Sequence, residues 1–565
     1  MMFRRSKKIL RHEIDPGEVM LDTKNIPGFN TQQFEGVIEK PISKFSIRVV
    51  LGLVVLAGLL FVGQLFKLQV GQGDMYFTKS ENNRLEHTPI FAERGVIYDR
   101  KDVELAWNEL PLPGELFPTR KYLGPGFAHL LGYVSYPTKD QKGYYWRTEI
   151  IGEQGAEKRL DALLQGKNGT KLVEVDALGN YTAENLMVPP EAGSNVHLTI
   201  DAGVQQSLHT AIQELAETAN FQAGAGVIMN VKTGELLALT SYPEYDSSVL
   251  SFGTDRTTIA SYNSDNRKPY LNRVVAGTFT PGSTMKPYLA LGALEEGIIT
   301  DDTTVMSTGK IEIPNRFNPD QPQTFRDWRP QGHGSTNVYH AIADSVNTFF
   351  YAIGGGLGGQ EGLGITRMEK YIRMFGFGTK TGIDIEGERE GNIPNPAWKL
   401  KTFPSDGAWR LGDTYNSAIG QFGFLVTPIQ LVHAVGGIAT RGTLVAPRTM
   451  PGDGSMKTET ISGISQENFN IMHQAMRETV TKGTAQSLNV PYVHAAAKTG
   501  TAQTGISNRS MNSWVTGFWP VENPQYAFVV VMENASSTNQ MGASGTMRKV
   551  FDYIETNSPE YFEVE

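Results

Sequence analysis

The chain has 565 residues, no cysteine, 40% hydrophobic residues and a formal net charge of -8. Its length allows roughly three or four domains and a sizeable core, and an acidic balance without a basic stripe of interleaved aromatics argues against a nucleic-acid protein. A chain without cysteine forms no disulfide, has no catalytic thiol and no cysteine zinc site, which suits an exported protein.

Residues 1–44 are polar, with Arg4, Arg5, Lys7, Lys8 and Arg11 at the start and Pro16, Gly17, Pro27 and Gly28 breaking any periodicity. They read as an unstructured cytoplasmic tail. Residues 45–70 contain an apolar run over 49–66 that only Gln64 interrupts, with Arg48 immediately before it. The run reaches the length of a membrane span, and the basic flank predicts a cytoplasmic N-terminus. The tail is too long for a signal peptide and lacks a small-residue cleavage site, and a core helix would show a polar face.

Residues 71–194 predict a mixed, elongated domain. Within it, 93–100 reads as a short strand running into a turn, 152–158 precedes a helix through Leu164, and 171–176 reads as a half-buried strand. From 195 to 201 a strand feeds a helix to about Thr218, and 226–230 with 235–239 form a hairpin around Lys232-Thr233-Gly234. Near the other end, 526–532 is a β-branched apolar run. Strands at both ends with helices between predict an α+β domain over 195–555 whose ends meet in one sheet, followed by a C-terminal tail over 556–565.

The centre of that domain is 278–287, where Ser283 and Lys286 stand three residues apart after Pro281-Gly282. Tyr288, Leu289, Leu291, Ala293 and Leu294 follow at helical spacing, so both side chains should share one face of a first helical turn. Ser283 is then a nucleophile, and Lys286, desolvated and short of its proton, the base that activates it. Ser-x-x-Lys alone proves little: it recurs at Ser307-Thr308-Gly309-Lys310, which reads as a turn into a strand. It becomes informative together with a Ser-x-Asn element and Lys-Thr-Gly.

Lys-Thr-Gly occurs at Lys232, Lys380 and Lys498. Lys232 lies at a hairpin tip and Lys380 inside a Gly- and Thr-rich turn, whereas Lys498-Thr499-Gly500-Thr501 follows three alanines and reads as a strand edge. Such an edge can bind an extended peptide by strand addition, with Lys498, Thr499 and Thr501 holding a terminal carboxylate. Ser-x-Asn appears at Ser80, Ser261, Ser264, Ser335, Ser345, Ser487, Ser510 and Ser537. Between Ser283 and Lys498 only Ser335, Ser345 and Ser487 remain, and Ser345-Val346-Asn347, set between the helical-looking 338–342 and the apolar 349–351, is the best placed. Its hydroxyl can relay a proton, and the Asn347 amide can orient a peptide group.

In this order the motifs resemble those of the class B penicillin-binding proteins, over nearly the whole chain from the anchor to about residue 555. The resemblance implies a single transmembrane helix, an elongated pedestal and a penicillin-binding or β-lactamase-like domain, an antiparallel sheet with helices on both sides. It implies D,D-transpeptidation: Ser283 attacks the penultimate D-Ala carbonyl of a peptidoglycan stem, the Ser283 and Thr501 N–H groups hold the oxyanion, and a neighbouring stem's amine resolves the acyl-enzyme. β-Lactams acylate the same serine, and no cofactor is required. By the same resemblance the 94–100 and 152–158 clusters look like pedestal motifs.

Residues 325–328, 332–334, 337–338, 381–384, 420–421 and 427–430 resemble the penicillin-binding protein 2 branch that serves sidewall growth beside a SEDS-type glycosyltransferase. Asn347 departs from it, since many members carry aspartate there. Some relatives carry a metal near this region; Asp327, His333 and Glu312 could match its ligands, but a cysteine ligand is missing and Val346 cannot ligate, so no metal is expected. A division-type member, a β-lactamase, a β-lactam sensor and a silent scaffold are the alternatives.

Overall fold

The computed structural model describes residues 43–76, 85–113, 115–141, 145–175, 181–314, 318, 320–452, 457–505 and 509–563. Most of the expected tail over 1–44, and the Ser-x-Asn at Ser80, lie outside the described residues. Two compact units are present, one of residues 1–86 with 174–183 and one of residues 87–173 with 184–565.

The first unit carries helix α1 (Lys44–Phe66), capped by the Ser43 hydroxyl, which accepts from the Phe45 and Ser46 N–H groups at 3.2 Å each. No residue of α1 is buried, and its 23 residues rise about 34 Å, enough for a hydrocarbon core of about 30 Å. Among the described residues, the segment Lys44–Gly71 is the one helix long and apolar enough to cross a membrane.

In the second unit, β1 (Ile97–Tyr98), β2 (Glu104–Glu109) and β3 (Thr119–Tyr122) are followed by the short helix α2 (Gly155–Arg159) and by β4 (Val196–His197). They form a sheet of order β4-β1-β2-β3, in which β4 pairs in parallel with β1. The strand expected over 195–201 is therefore only two residues long and joins the sheet that precedes it. Glu157 on α2 is fully buried between Arg94 Nε at 2.6 Å and Arg120 Nε at 2.7 Å. A buried carboxylate is tolerable only when paired in this way. The two sequence clusters around Arg94 and Glu157 are thus one structural network.

The remaining elements are α3 (Ala202–Thr218), β5 (Ala223–Asn230), β6 (Leu236–Tyr242), α4 (Lys286–Glu295), α5 (Val338–Ala343), α6 (Asn347–Gly355), α7 (Pro428–Ala439), α8 (Gln466–Thr481), β7 (Ala496–Thr504), β8 (Ser510–Trp519), β9 (Tyr526–Ser536) and α9 (Ser544–Asn557). Five strands make one antiparallel sheet of order β6-β5-β9-β8-β7. The hairpin and the late strand do pair, Val227 opposite Val529.

Both faces of the sheet are covered, which is why 526–532 is apolar at every position. Ala527, Val529 and Val531 of β9 join one core with α4, α7 and α8, while Phe528, Val530 and Met532 join another with α3 and α9. Two-residue alternation thus sorts one strand into two cores. Residues read as a C-terminal tail pack down: Tyr561 is buried, its hydroxyl donates to Asp201 Oδ2 at 2.8 Å, and its carbonyl accepts Trp519 Nε1–H at 3.0 Å.

Candidate active site

Ser283 does not open an α-helix. Gly282–Met285 is a 3-10 turn, and α4 begins at Lys286. A 3-10 turn has three residues per turn, so residues i and i+3 stand over one another and the shared face expected for Ser283 and Lys286 is kept. Sequence periodicity sees the α-helix that follows but not the tighter turn before it.

The turn is held from several sides. Phe279 and Val426 exchange two backbone hydrogen bonds at 2.9 Å, Gly282 N–H donates to Gly420 O at 3.0 Å, and Trp514 Nε1–H donates to Thr280 O at 3.0 Å. Gly420 has φ +71°, and a Cβ there would fall 2.0 Å from Gly282 O, so only glycine fits. Gly500 lets β7 approach: its Cβ would sit 2.8 Å from Thr284 Cγ2 and 2.9 Å from Pro281 O. Around Ser283 the turn residues Gly282, Thr284 and Met285 are buried, while Ser283 is half-buried and lines a cleft of about 1070 Å³.

Lys286 is fully buried; its Nζ donates to Ser345 O at 2.7 Å and to Asn347 Oδ1 at 2.7 Å and lies 3.2 Å from Ser345 Oγ. Burial pushes its pKa well below the usual lysine range, the nearby Lys498 adds to that, and Asp327 opposes it. A neutral amine has two N–H groups and one lone pair. The Ser345 carbonyl and the Asn347 amide oxygen can only accept, so they take both N–H groups and leave the lone pair to a hydroxyl proton. Ser345 supplies its carbonyl from a left-handed conformation, φ +56°, between α5 and α6, a strained state that clusters at functional sites.

Asn347 in turn donates Nδ2–H to Arg326 O at 3.4 Å. Behind it, Asp327 Oδ2 accepts from Thr348 N–H at 2.9 Å and from Thr348 Oγ1–H at 3.1 Å, and Oδ1 accepts from Trp328 N–H at 2.8 Å. Asp327 therefore ties the strand Gln323–Arg326 to the start of α6. The candidate metal ligands do not converge. His333 Nε2 is 3.5 Å from Asp327 Oδ1, but Glu312 pairs with Lys310 at 2.6 Å, and no group of three or more such side chains exists among the described residues. A donor set of one carboxylate, already satisfied by hydrogen bonds, and one imidazole does not fit a metal.

Lys498, Thr499, Gly500 and Thr501 lie on β7, the edge of the sheet. Lys498 is fully buried, donates to Thr499 O at 2.9 Å, and burial brings its pKa down to about 7, with Asp344 opposing. The cleft wall is built by Thr499, Gly500 and Thr501, with Lys498 beneath them. Thr484, whose hydroxyl bonds that of Thr499 and whose N–H donates to Ala343 O at 3.1 Å, also lines the cleft. It stands outside every motif; only its place after α8, against α5, brings it there.

The rejected repeats lie elsewhere. Lys232 and Lys380 are exposed at turns, Ser264 ends an exposed helix, Ser335 sits on the strand Gly334–Thr336, and Ser307 pairs through Thr348 with Asp327. None of Lys232, Lys380, Ser264 and Ser335 lines the cleft.

Residues 224–552 match the penicillin binding protein transpeptidase domain, and residues 115–198 match the penicillin-binding protein dimerisation domain. The chain is 29% identical to the peptidoglycan D,D-transpeptidase MrdA of Acinetobacter baumannii, covering 91% of this chain and 88% of that protein. It is similar in structure to the penicillin-binding protein PBP2 of Helicobacter pylori in complex with MreC, with TM-score 0.67, 28% identity and coverage of 84% and 99%. It is also similar to a chain of a peptidoglycan synthase complex that coordinates polymerization and crosslinking, with TM-score 0.68, 26% identity and coverage of 90% and 98%. With a transpeptidase match over more than half its length and a dimerisation match before it, the chain belongs to the penicillin-binding protein transpeptidase family, as a class B, elongation-type member.

Proposed function

We propose that the chain is a serine D-Ala-D-Ala transpeptidase that cross-links peptidoglycan stem peptides during sidewall growth. The observation that carries this is Lys286, buried, with its amine bonded to Ser345 and Asn347 three residues from a cleft-facing Ser283. A stem lies along the free edge of β7, adding a strand, with its terminal carboxylate at Lys498, Thr499 and Thr501. Neutral Lys286 takes the Ser283 hydroxyl proton as Oγ bonds the penultimate D-Ala carbonyl carbon, and the Ser283 and Thr501 N–H groups hold the oxyanion. The proton passes by way of Ser345 to the leaving amine, and the last D-Ala departs. A β-lactam opened by the same step stays on Ser283 because no amine leaves the site.

The proposed division of the chain is a cytoplasmic tail over 1–44, an anchor over 45–70, a pedestal over 71–194, the transpeptidase domain over 195–555 and a terminal segment over 556–565. The basic residues before Val49 favour a cytoplasmic N-terminus and a catalytic domain outside the cytoplasmic membrane. Protease added to spheroplasts then removes everything beyond the anchor and spares the tail. The likeness to PBP2 bound to MreC, and to a synthase that couples polymerization with crosslinking, supports an elongation-machinery partner and a SEDS-type glycosyltransferase. Depletion in a rod-shaped host should give rounded cells rather than smooth filaments. The chemistry is tested by labelling purified protein with a fluorescent penicillin and mapping the adduct: a label on Ser283, lost in Ser283→Ala, is expected, and a label elsewhere overturns the assignment.

A further inference from the structure

We infer that Arg326 is a specificity residue that selects acceptors whose attacking amine is flanked by a carboxylate. The inference rests on the transpeptidase reading and adds the chemistry of the acceptor to it. Among the described residues two charged side chains line the cleft, Arg326 and Asp327. Asp327 is turned inward, and its oxygens are taken by Trp328 and Thr348. Arg326 is exposed, and among the described residues its guanidinium makes no hydrogen bond or ion pair. The carboxylate two residues along the facing strand, Glu312, is paired with Lys310 at 2.6 Å, feels the Arg326 charge only through space, and does not line the cleft. Among the described residues the cleft therefore offers incoming ligands one exposed charge, and it is positive.

The main chain at Arg326 is held by the catalytic residues. The Arg326 carbonyl accepts Asn347 Nδ2–H at 3.4 Å and the Tyr351 hydroxyl at 3.1 Å, while the other end of the Asn347 amide accepts Lys286 Nζ at 2.7 Å. One carboxamide thus separates the Arg326 main chain from the amine that activates Ser283. The donor's carboxylate is served on the opposite wall, by β7, and it leaves with the terminal amino acid. A second cation lining the cleft, its main chain bonded to Asn347, has no remaining donor carboxylate at the scissile end to hold, which leaves it for the amine that enters next.

In that second step the amine nitrogen bonds the acyl carbon, the ester bond to Ser283 Oγ breaks, and the ammonium proton passes through neutral Lys286 to Ser283 Oγ. A carboxylate on the amine-bearing carbon would form charge-assisted hydrogen bonds with the Arg326 fork and orient the lone pair. Acceptors of this class are diamino dicarboxylic stem residues and free D-amino acids; a stem amine on a bare methylene lacks the handle.

The test uses the full chain in detergent, acylated from an N-acyl-D-alanine thioester, with D-alanine or D-alaninamide as acceptor at equal free-amine concentration. The readout is the ratio of the two aminolysis rates, which cancels any change in acylation or in the amount of folded protein. Wild type should favour D-alanine by about tenfold, the scale of one charge-assisted hydrogen bond in a partly wet site. Arg326→Gln should bring the ratio close to one, and Arg326→Lys should retain part of the preference. An unchanged ratio in Arg326→Gln, equal loss in both variants, or a wild type that does not discriminate overturns the inference. If wild-type protein forms no acyl-enzyme at Ser283, the transpeptidase reading falls and takes this one with it; if it forms one and the ratio does not move, only the role of Arg326 is lost.

Discussion

Replacing Lys498 with methionine separates what this residue costs the fold from what it gives the reaction. Burial lowers the Lys498 pKa from an ordinary 10.5 to about 7. At about 1.4 kcal/mol per pH unit, keeping this side chain buried costs the folded state roughly 4–5 kcal/mol near neutrality. Methionine fills similar space without charge and loses one hydrogen bond, to Thr499 O at 2.9 Å, worth about 1 kcal/mol net. Lys498→Met should therefore stabilise the domain by roughly 2–4 kcal/mol at pH 7, after allowing for imperfect packing, and raise Tm by several degrees. The pH dependence has a definite sign. Between about 7 and 10.5 the unfolded chain holds a proton that folded Lys498 has released, so wild-type stability rises with pH across that window and is flat on this account below it. The variant should lose this rise and keep only the part due to Lys286, which is lowered in the same direction. Tm by scanning fluorimetry from pH 6.5 to 10, run beside labelling with a carboxylate-bearing penicillin and its ester, measures both effects. A variant less stable than wild type at pH 7, or one that still prefers the carboxylate ligand, would refute the reasoning.

Lys286→Met should slow penicillin acylation by at least about a hundredfold, the scale of a lost general base, without lowering Tm, because the removed amine is buried with neutral partners only; near-normal acylation would mean another base. Acylation by carboxylate-bearing ligands should rise with pH as Lys286 gives up its proton and fall above about 7 as Lys498 does; the falling limb should vanish with esterified ligands, and its persistence there would assign it to another group. Gly420→Ala must displace the Ser283 turn, since its Cβ would meet Gly282 O at 2.0 Å, and should cost about 1–3 kcal/mol of stability and more than tenfold in acylation; full activity would show that the turn is not held from that side. Lys232→Ala and Lys380→Ala, at exposed turns, should change stability by no more than about 0.5 kcal/mol and leave acylation alone, and loss of labelling in either would mean that the wrong Lys-Thr-Gly was chosen.

The residues whose chemistry needs a particular side chain were legible in the sequence, because their order and local context separated them from repeats of the same tripeptides. Lys286, Ser345 and Asn347 were chosen that way and meet at one amine in the structure, and Ser283, chosen with them, lines the cleft together with Ser345 and Asn347. The groups that hold them were not legible, for physical reasons. Gly420 acts through absence of a side chain and through its carbonyl, so its contact with Gly282 has no residue-type signature at a separation of 138 positions. Thr484 is one threonine among many until β7 and α5 bring it to Thr499. The sequence left Asp327 without a role once a metal was set aside, and the fold gives that carboxylate the N–H and hydroxyl of Thr348. The strand over 526–532 was predicted because burial on both faces writes a continuous apolar run, while β4 was over-extended because Leu198-Thr199-Ile200-Asp201 keeps a strand's alternation but sends its backbone hydrogen bonds to several segments, Tyr98 O, Thr449 O, Arg100 N–H and Leu237 O, rather than to one partner strand.

The two buried lysines show how one site keeps a base and a cation close together. Both are completely buried; Lys498 lowers the affinity of Lys286 for a proton, and a different carboxylate favours keeping one on each, Asp327 for Lys286 and Asp344 for Lys498. The difference lies in what each faces. Lys286 makes its hydrogen bonds to a carbonyl, an amide oxygen and a hydroxyl, none of them charged, and burial outweighs the pull of Asp327 toward an ammonium. Lys498 lies under the hydroxyls that line the cleft, poised at about 7, where an arriving carboxylate tips it to the charged form. A Lys498 ammonium paired with that carboxylate presents little net charge to Lys286, so ligand binding fixes a proton on one lysine without forcing one onto the other. Two groups of the same type, driven to opposite protonation states by their surroundings, can then act as electrostatic anchor and general base in one cleft.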